Sequence, residues 1–416
     1  MTRTMKTSIK AALLAVAASA AVVACGGGGD GGVAPAPAPG SGTLRVALTD
    51  APNCRVGNDE LAKVFVTVER VRVHQSADAG ETSGGWTDVA LNSPKKINLL
   101  DLTNGRLEEL GTAPIPAGTY TQVRLVLSAN QGNQTANSLV LVGGDAAEIP
   151  LRTPSAAQSG LKIIHPFTVQ PNTLVDVVID FDACRSIVRL GNGNGGYLLK
   201  PTLTAHQRIV AAIRGFVDPT IPGVSVSAQK EGTVIRSTIP ASNGEFILAF
   251  LNPEAGPYDV VITAPSRGTS VVGGVQVSTT SSVVVLSTET ERTPLPAAAT
   301  PTASRTASGK LDPEAARVTG LVRAVQAVGG VPVVEIATDN VDGTSGEFSM
   351  TLPVASPLYA PFSTTLPLSF AVPASPADFS YKLEATATGY VKQSQSIGTS
   401  ADNYTWNVTL VPVVGP

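Results

Sequence analysis

The chain has 416 residues, 15% of them charged, and a formal net charge of −3 at pH 7. This charge excludes the strongly basic footprint of a nucleic-acid-binding protein, so we expect no nucleic-acid partner. The 40 glycines and 31 prolines are typical of an all-β chain with many turns.

Residues 1–24 have the layout of a secretory signal peptide. The basic residues Arg3, Lys6 and Lys10 come first, and the apolar run Ala11–Ala24 follows. This run is shorter than the roughly 20 residues that a membrane-spanning helix needs. We therefore expect the segment to be removed on export.

The end of the signal peptide predicts how the protein is attached. Val22-Val23-Ala24-Cys25 resembles the lipobox of bacterial lipoproteins. The resemblance implies that Cys25 is lipidated, becomes the first mature residue and anchors the chain to a membrane. Gly26, in place of aspartate, favours the outer membrane, with the body facing either the periplasm or the cell surface. The alternative is an ordinary secreted protein with a chance cysteine at the cut.

Residues 25–42 predict a flexible tether after the anchor. Glycine-rich chain is a flexible coil, and Ala-Pro repeats are stiffer extended spacers. Neither can bury apolar surface, so this segment separates a folded body from the bilayer.

Residues 43–208 predict the first β-sandwich. Val64, Val66 and Val68 alternate, whereas Val71 and Val73 continue out of phase, which predicts a bulge near Glu69 and Arg70. Further strands are predicted at Ile97–Leu102, Tyr120–Leu127, Ser138–Val142, Leu161–Val169, Thr173–Ala183 and Tyr197–His206.

Two cysteines remain in this sandwich once Cys25 is set aside. In an oxidising compartment outside the inner membrane, Cys54 and Cys184 are expected to form a disulfide. The alternative is a metal site, for which the spacing of the cysteines and histidines gives little support.

Several short motifs in the first sandwich resemble a known family. They are TDAP at Thr49–Pro52, Trp86, IPAGTYTQVRLVL from Ile115, SGLKIIHPFTV from Ser159, DFDACRSIV from Asp180 and YLLKPTL from Tyr197. Together they are similar to the bacterial lipoprotein domain known as domain of unknown function 4382, over most of residues 43–207. The resemblance implies an immunoglobulin-like or transthyretin-like sandwich and brings no activity.

The rest of the chain contains an internal repeat. Arg214-Gly215-Phe216-Val217 and Thr319-Gly320-Leu321-Val322 each open a strand, and a Gly-Glu-Phe turn follows at Gly244 and at Gly346. We predict sandwiches at residues 209–290 and 313–416, joined by a linker at residues 291–312, with an insert before Tyr381. Both copies resemble the carboxypeptidase regulatory-like domain, which implies accessory modules without catalytic residues.

The strand LVDVVIDFDA presents a candidate metal site. Asp176, Asp180 and Asp182 alternate with apolar residues and share one face. Carboxylates in such an array, with loop carbonyls, are ligands for Ca²⁺. The alternative is a solvated outer face whose acids discourage edge pairing.

The remaining motifs do not identify an enzyme. Gly191–Gly196 satisfies G-x-G-x-x-G, but a strand follows it in place of a helix, so we predict a hairpin loop. His74, His165 and His206 are scattered and form no metallohydrolase signature.

We therefore predict an all-β chain of three consecutive immunoglobulin-like or transthyretin-like sandwiches after a signal peptide and flexible tether. Its expected function is that of a non-catalytic binding or structural module of the cell envelope, with an envelope protein or a glycan as partner. The alternatives are a hydrolase with an unrecognised site in the first domain and a calcium-stabilised, adhesin-like surface protein.

Overall fold

The structure is a computed structural model. It describes residues 40–50, 55–56, 59–131, 135–154, 159–191, 195–200, 202–208, 211–277, 283–297, 304–374, 380–398 and 402–414. Within these residues the chain is almost entirely β-strand, which confirms the predicted all-β class. The predicted signal peptide, Cys25, most of the tether and Cys54 lie outside the described residues. No helix in the described part is long and apolar enough to cross a membrane.

The N-terminal sandwich contains thirteen strands and two short helical segments. The strands are β1 (Ser41–Asp50), β2 (Arg55–Val56), β3 (Asp59–His74), β4 (Thr87–Asn98), β5 (Glu108–Pro116), β6 (Gly118–Leu127), β7 (Ser138–Leu141), β8 (Ile149–Arg152), β9 (Leu161–Val169), β10 (Leu174–Phe181), β11 (Ile187–Arg189), β12 (Tyr197–Leu199) and β13 (Leu203–Gln207). A 3-10 turn spans Leu99–Asp101, and the helix α1 spans Ala183–Ser186.

Two sheets form this sandwich. One has the order β13-β10-β1-β5, and the other has the order β11-β12-β8-β7-β3-β6-β9, with β2 and β4 also paired to β3. The inward side chains of both sheets form one apolar core. The pairing of β3 slips between Val68 and Arg70, which keeps Val71 and Val73 buried and confirms the predicted bulge.

The middle sandwich is smaller. Its strands are β14 (Ala212–Phe216), β15 (Ser225–Lys230), β16 (Thr233–Thr238), β17 (Glu245–Leu248), β18 (Tyr258–Thr263), β19 (Ser270–Val275) and β20 (Val283–Val285). One sheet has the order β17-β14-β20. In the other sheet, the strands that belong to the middle sandwich have the order β16-β15-β18-β19. In the smaller sheet, the central strand β14 and the edge strand β20 run parallel.

The third sandwich repeats this plan. Its elements are β21 (Ser304–Asp312), α2 (Glu314–Arg317), β22 (Leu321–Val328), β23 (Val331–Asn340), β24 (Glu347–Pro353), β25 (Leu358–Pro361), β26 (Tyr381–Thr386), β27 (Tyr390–Val391), β28 (Gln393–Ile397), β29 (Tyr404–Thr409) and β30 (Val411–Pro412). The sheets β24-β21-β29 and β23-β22-β26-β28 match those of the middle sandwich strand for strand. The predicted internal repeat therefore exists as a repeated topology.

The alignment of the two copies differs from the prediction. Gly215 pairs with Phe246 in the middle sandwich, and Gly309, not Gly320, pairs with Phe348 in the third. A Cβ added to Gly215 would lie 2.5 Å from the Phe246 ring, and one added to Gly309 would lie 3.0 Å from the Phe348 ring. The aromatic ring needs a glycine opposite it, so this pair fixes the true correspondence.

The predicted linker at residues 291–312 is therefore wrong in its second half. Ser304–Asp312 forms the first strand of the third sandwich, because its alternating small and apolar residues face the core. In the first half, Thr293 and Leu295 are buried on the middle sandwich. The described parts of this stretch therefore belong to the two sandwiches, and residues 298–303 lie outside the described residues.

The insert in the third sandwich crosses to its neighbour. Strand β25 pairs in parallel with β19 and becomes the fifth strand of the middle sandwich's larger sheet. The backbone of Tyr359 then exchanges two hydrogen bonds with Ala371, which closes the new edge. Three apolar side chains that follow β25 pack against the middle core: Phe362, Leu368 and Phe370.

Candidate functional site

A cleft lies where the three sandwiches meet. Its cavity volume is about 670 Å³, within the usual range for a small-molecule site. One wall is the outward face of β15 and β16 in the middle sandwich, and the other is formed by β23 and β24 of the third. Helix α1 of the N-terminal sandwich contributes Asp182, Cys184 and Arg185 to the lining.

Hydroxyl side chains line both walls. Ser225, Ser227 and Ser237 line the middle wall, and Thr338 and Ser349 line the third. None of the described lining residues is aromatic. The cleft therefore offers hydroxyl donors and acceptors beside apolar side chains such as Val234, Ile336 and Met350.

The local structure of α1 depends on two of the family motifs. Asp50 of the TDAP motif is buried, and its carboxylate accepts a hydrogen bond from the backbone N–H of Ala183 at 2.9 Å. Asp182 caps α1 by accepting from the N–H of Arg185 at 3.0 Å. These bonds satisfy backbone donors at the start of α1, so the helix presents its other end to the third sandwich.

That other end is fixed by an asparagine. The Nδ2 group of Asn340 lies 3.3, 3.0 and 3.1 Å from the carbonyl oxygens of Cys184, Arg185 and Ile187. Asn340 is itself buried. One side chain thus holds three of the carbonyls that a four-residue helix leaves without internal partners.

Arg185 and Glu335 of the cleft lining belong to a chain of charged contacts. Arg185 donates to the Glu335 carboxylate, and Arg323 lies 3.5 Å from the same carboxylate and 2.7 Å from Glu384. Burial alone would lower the pKa of Arg185, but Glu335 and Asp182 outweigh it and raise that pKa. Burial raises the pKa of Asp182. Because Arg185 belongs to the N-terminal sandwich and Glu335 to the third, this pair is an ionic joint between the two sandwiches.

A second ionic joint connects the N-terminal and middle sandwiches. Asp180 and Arg236 pair at 2.9 Å, with each side chain 12% exposed. His206 lies beside the same guanidinium, 2.7 Å from it. Burial raises the pKa of Asp180 to about 6, against the opposing effect of Arg236, and burial with Arg236 lowers the pKa of His206 to about 2.

The predicted calcium ligands are not brought together. Asp176 receives two hydrogen bonds of 2.6 Å from Arg45, Asp180 pairs with Arg236, and Asp182 caps α1. Among the described residues, no group of three or more His, Cys, Asp or Glu is arranged to hold a metal ion. Arginines face Asp176 and Asp180, and calcium binding at these aspartates stays a prediction.

The other predicted residues are placed as follows. Cys184 is half-buried against the N-terminal core, while its predicted partner Cys54 lies outside the described residues. The Cys54–Cys184 disulfide and the lipidation of Cys25 remain predictions.

The predicted hairpin at the glycine-rich motif is confirmed. Strands β11 and β12 pair antiparallel around it. The backbone N–H of Gly191 donates to the Asp342 carboxylate at 3.0 Å, and that of Gly343 donates to the Arg189 carbonyl at 2.9 Å. The loop contacts the third sandwich by its backbone, a role that its resemblance to a phosphate loop did not suggest.

The three histidines all lie in strands of the N-terminal sandwich. His74 accepts from the backbone of Ser76 and contacts the carbonyl of Gly84, and His206 faces Arg236. His165 is half-buried, and burial lowers its pKa.

Comparison with known proteins supports the N-terminal assignment. Residues 41–201 match the family described as Domain of unknown function (DUF4382), as the motifs predicted. No curated protein matches this chain. The resemblance of the two repeats to carboxypeptidase regulatory-like domains remains a prediction.

Two solved structures have a distant likeness to the chain. A streptococcal ancillary pilin is 13% identical with a TM-score of 0.17, over 90% of this chain and 100% of that one. The full-length major pilin RrgB from Streptococcus pneumoniae is 11% identical with a TM-score of 0.16, over 90% of this chain and 66% of that one. Likeness at this level carries no argument about function.

Proposed function

We propose that this chain, with its DUF4382 domain at residues 41–201, is a lipid-anchored cell-envelope protein. In this proposal its three sandwiches act together as a rigid, non-catalytic binding and structural module. The anchor is Cys25, the tether is the Gly/Ala/Pro segment, and the membrane is the outer one.

The observation that carries the proposal is the way the sandwiches are joined. Buried ion pairs, the Asn340 contacts and the donated strand β25 connect them at several independent places. The valines of β18 and β19 also pack on those of β22 and β23, around Tyr359. Joints this extensive suit a body that displays a fixed surface, whereas transient interdomain contacts are expected to allow motion.

The cleft is the ligand site of this proposal. Its hydroxyl-rich walls suit a hydrophilic partner, either a glycan or an exposed segment of an envelope protein. A decisive variant is Ser237→Trp, which fills the cleft from the middle wall. We expect it to abolish retention of the protein on isolated envelope material while leaving thermal unfolding unchanged. Retention equal to wild type would remove the cleft from the proposal.

The anchor is tested separately. Cells grown with a radiolabelled fatty acid should label the wild-type protein and not the Cys25→Ala variant, which should also leave the membrane fraction. Equal labelling, or equal membrane recovery, would overturn the anchor. Protease treatment of intact cells then separates a surface-facing body, which is degraded, from a periplasmic one, which is protected.

A further inference from the structure

The middle sandwich has one side that its own strands do not close. This side is formed by the edges of β19 and β20. Residues 358–371 cover it: the N–H of Leu358 donates to the Thr269 carbonyl at 2.8 Å, and the N–H of Phe362 donates to the Gly273 carbonyl at 2.9 Å. In the middle sandwich, an added strand therefore docks on this side.

The third sandwich has the same side without the added strand. Because the two sandwiches share one topology, β28 and β29 correspond to β19 and β20. Among the described residues, β28 pairs only with β26, and β29 pairs only with β21. We name β28 and β29 together the open flank.

The open flank has none of the usual protection of an edge. Gln393–Ile397 and Tyr404–Thr409 contain no charged residue and no proline. Natural edge strands are normally protected by lysine, proline, bulges or inward-pointing charge. The edge strand β9 follows that rule, because it contains Pro166.

Apolar side chains lie at one end of the open flank. Strands β27 and β30, which directly precede β28 and follow β29, pair through Val391 and Val411. Val391 is 47% exposed, Val411 54% and Val413 58%. Exposed apolar residues grouped beside an unpaired edge mark an interaction site, and the half-buried Trp406 on β29 is the residue type most often found at such sites.

We propose that the open flank docks a second copy of this chain, by antiparallel pairing of edge strands across a two-fold axis. In a two-fold antiparallel contact, residue i of one edge faces residue j of the other, and residues beside the axis face their own counterparts. A charged residue beside the axis would therefore face a like charge, which is destabilising. The uncharged open flank avoids this cost, which makes it self-complementary. The proposal does not depend on the lipid anchor or on the cleft.

The contact would be weak in dilute solution. Edge pairing over five or six residues with a few valines buries less than a standard stable interface of about 1,600 Å². We therefore expect a reversible monomer–dimer equilibrium.

Sedimentation velocity over a wide range of protein concentration tests the proposal on the purified full-length chain. The wild type should shift from monomer to dimer as concentration rises. The variant Gln395→Lys/Asn407→Lys changes two exposed positions of the open flank and should remain monomeric. A matched control, Gln170→Lys/Thr233→Lys, changes exposed positions on the other two sandwiches and should dimerise like wild type.

Hydrogen exchange locates the contact. Amides of residues 393–397 should exchange more slowly at high concentration in the wild type, and not in the flank variant, while circular dichroism shows that both are folded. A wild type that stays monomeric throughout, or dimerisation that survives the flank variant, would overturn the proposal.

Discussion

The side-chain amide of Gln229 pairs with the backbone of Glu335 as another strand would. The N–H of Glu335 donates to Oε1 of Gln229 at 2.7 Å, and Nε2 of Gln229 donates to the carbonyl of Glu335 at 2.8 Å. Gln229 belongs to the middle sandwich and Glu335 to the third, and both are buried. One side chain therefore completes an edge of the neighbouring domain.

Replacing this amide should weaken the joint between the two sandwiches. Gln229→Ala leaves a buried N–H and a buried carbonyl without partners, at a cost of about 1–3 kcal/mol each. We expect a lower midpoint in urea unfolding monitored by circular dichroism. Ser225→Ala, on the same wall without this pairing, is the control and should be close to neutral. Equal midpoints for Gln229→Ala and wild type would show that water replaces the pair.

The Asp180–Arg236 pair should behave as a buried ion pair. Arg236→Met leaves the Asp180 carboxylate buried without its guanidinium, which typically costs about 3–5 kcal/mol. The double variant Asp180→Asn/Arg236→Met removes both charges and should recover much of that loss. A double-mutant cycle in urea measures the coupling. Additive single effects would mean that the two side chains do not stabilise each other.

The pKa of Glu384 predicts that the third sandwich loses stability in acid. Burial alone would raise its pKa, but hydrogen bonds from Lys382 and Arg323 outweigh burial and lower the pKa to about 2. A carboxylate with a lowered folded-state pKa binds its proton less tightly when folded, so its stabilising effect is present above its ordinary pKa of 4.5.

That effect should be lost as the pH falls from about 4.5 towards 2. We expect the melting temperature to fall across this window and to fall less in Glu384→Gln. The two proteins should converge at the acid end. Parallel melting curves for both proteins would contradict the assignment.

Strand β25 lies within the sequence of the third sandwich, but it should stabilise the middle sandwich more than the third. Removing residues 356–372 and joining the ends with a Gly-Ser linker takes away β25 together with Phe362 and Phe370. We expect the middle sandwich to unfold at a lower temperature than the rest, as a separate calorimetric transition. Replacing the exposed residues Ser363 and Thr364 with glycine keeps the strand and is the control. A single unshifted transition after the removal would show that β25 contributes little.

The predicted Cys54–Cys184 disulfide should be visible in unfolding experiments. Closing a loop of this length stabilises a fold by roughly 5 kcal/mol in the chain-entropy model. We expect a reductant to lower the melting temperature of the wild type and to leave Cys54→Ser/Cys184→Ser unchanged. Thiol titration of the unreduced, denatured chain should detect neither of these cysteines. Two reactive thiols there would contradict the pairing.

The predictable features of the fold were those with a local cause. Alternating valines predicted the strands and the bulge at Glu69, because an out-of-phase apolar residue must be re-aimed to stay buried. The motifs of the N-terminal sandwich predicted its family. The glycine-rich motif was correctly read as a hairpin because the helix that a phosphate loop needs is missing.

The features that could not be predicted depend on partners far apart in the chain. Gly320 resembles Gly215 in its local sequence, yet Gly309 is the residue that faces the phenylalanine ring. In the sequence, the aspartates of β10 resemble a metal site, because no local pattern shows that Arg45 and Arg236 lie beside them in the fold. Asn340 has no local signature at all, since its role is set by three carbonyls on another sandwich.

The crossing of β25 also constrains the order in which the protein is made. The middle sandwich begins at residue 212, but its larger sheet is complete only once residue 361 has been synthesised. Synthesis proceeds from the N-terminus. The larger sheet of the middle sandwich therefore lacks β25 while much of the third sandwich is still being synthesised. The two domains must therefore complete their folding together. A chain truncated before β25 would lack part of the third sandwich and also one strand of the middle sandwich's larger sheet.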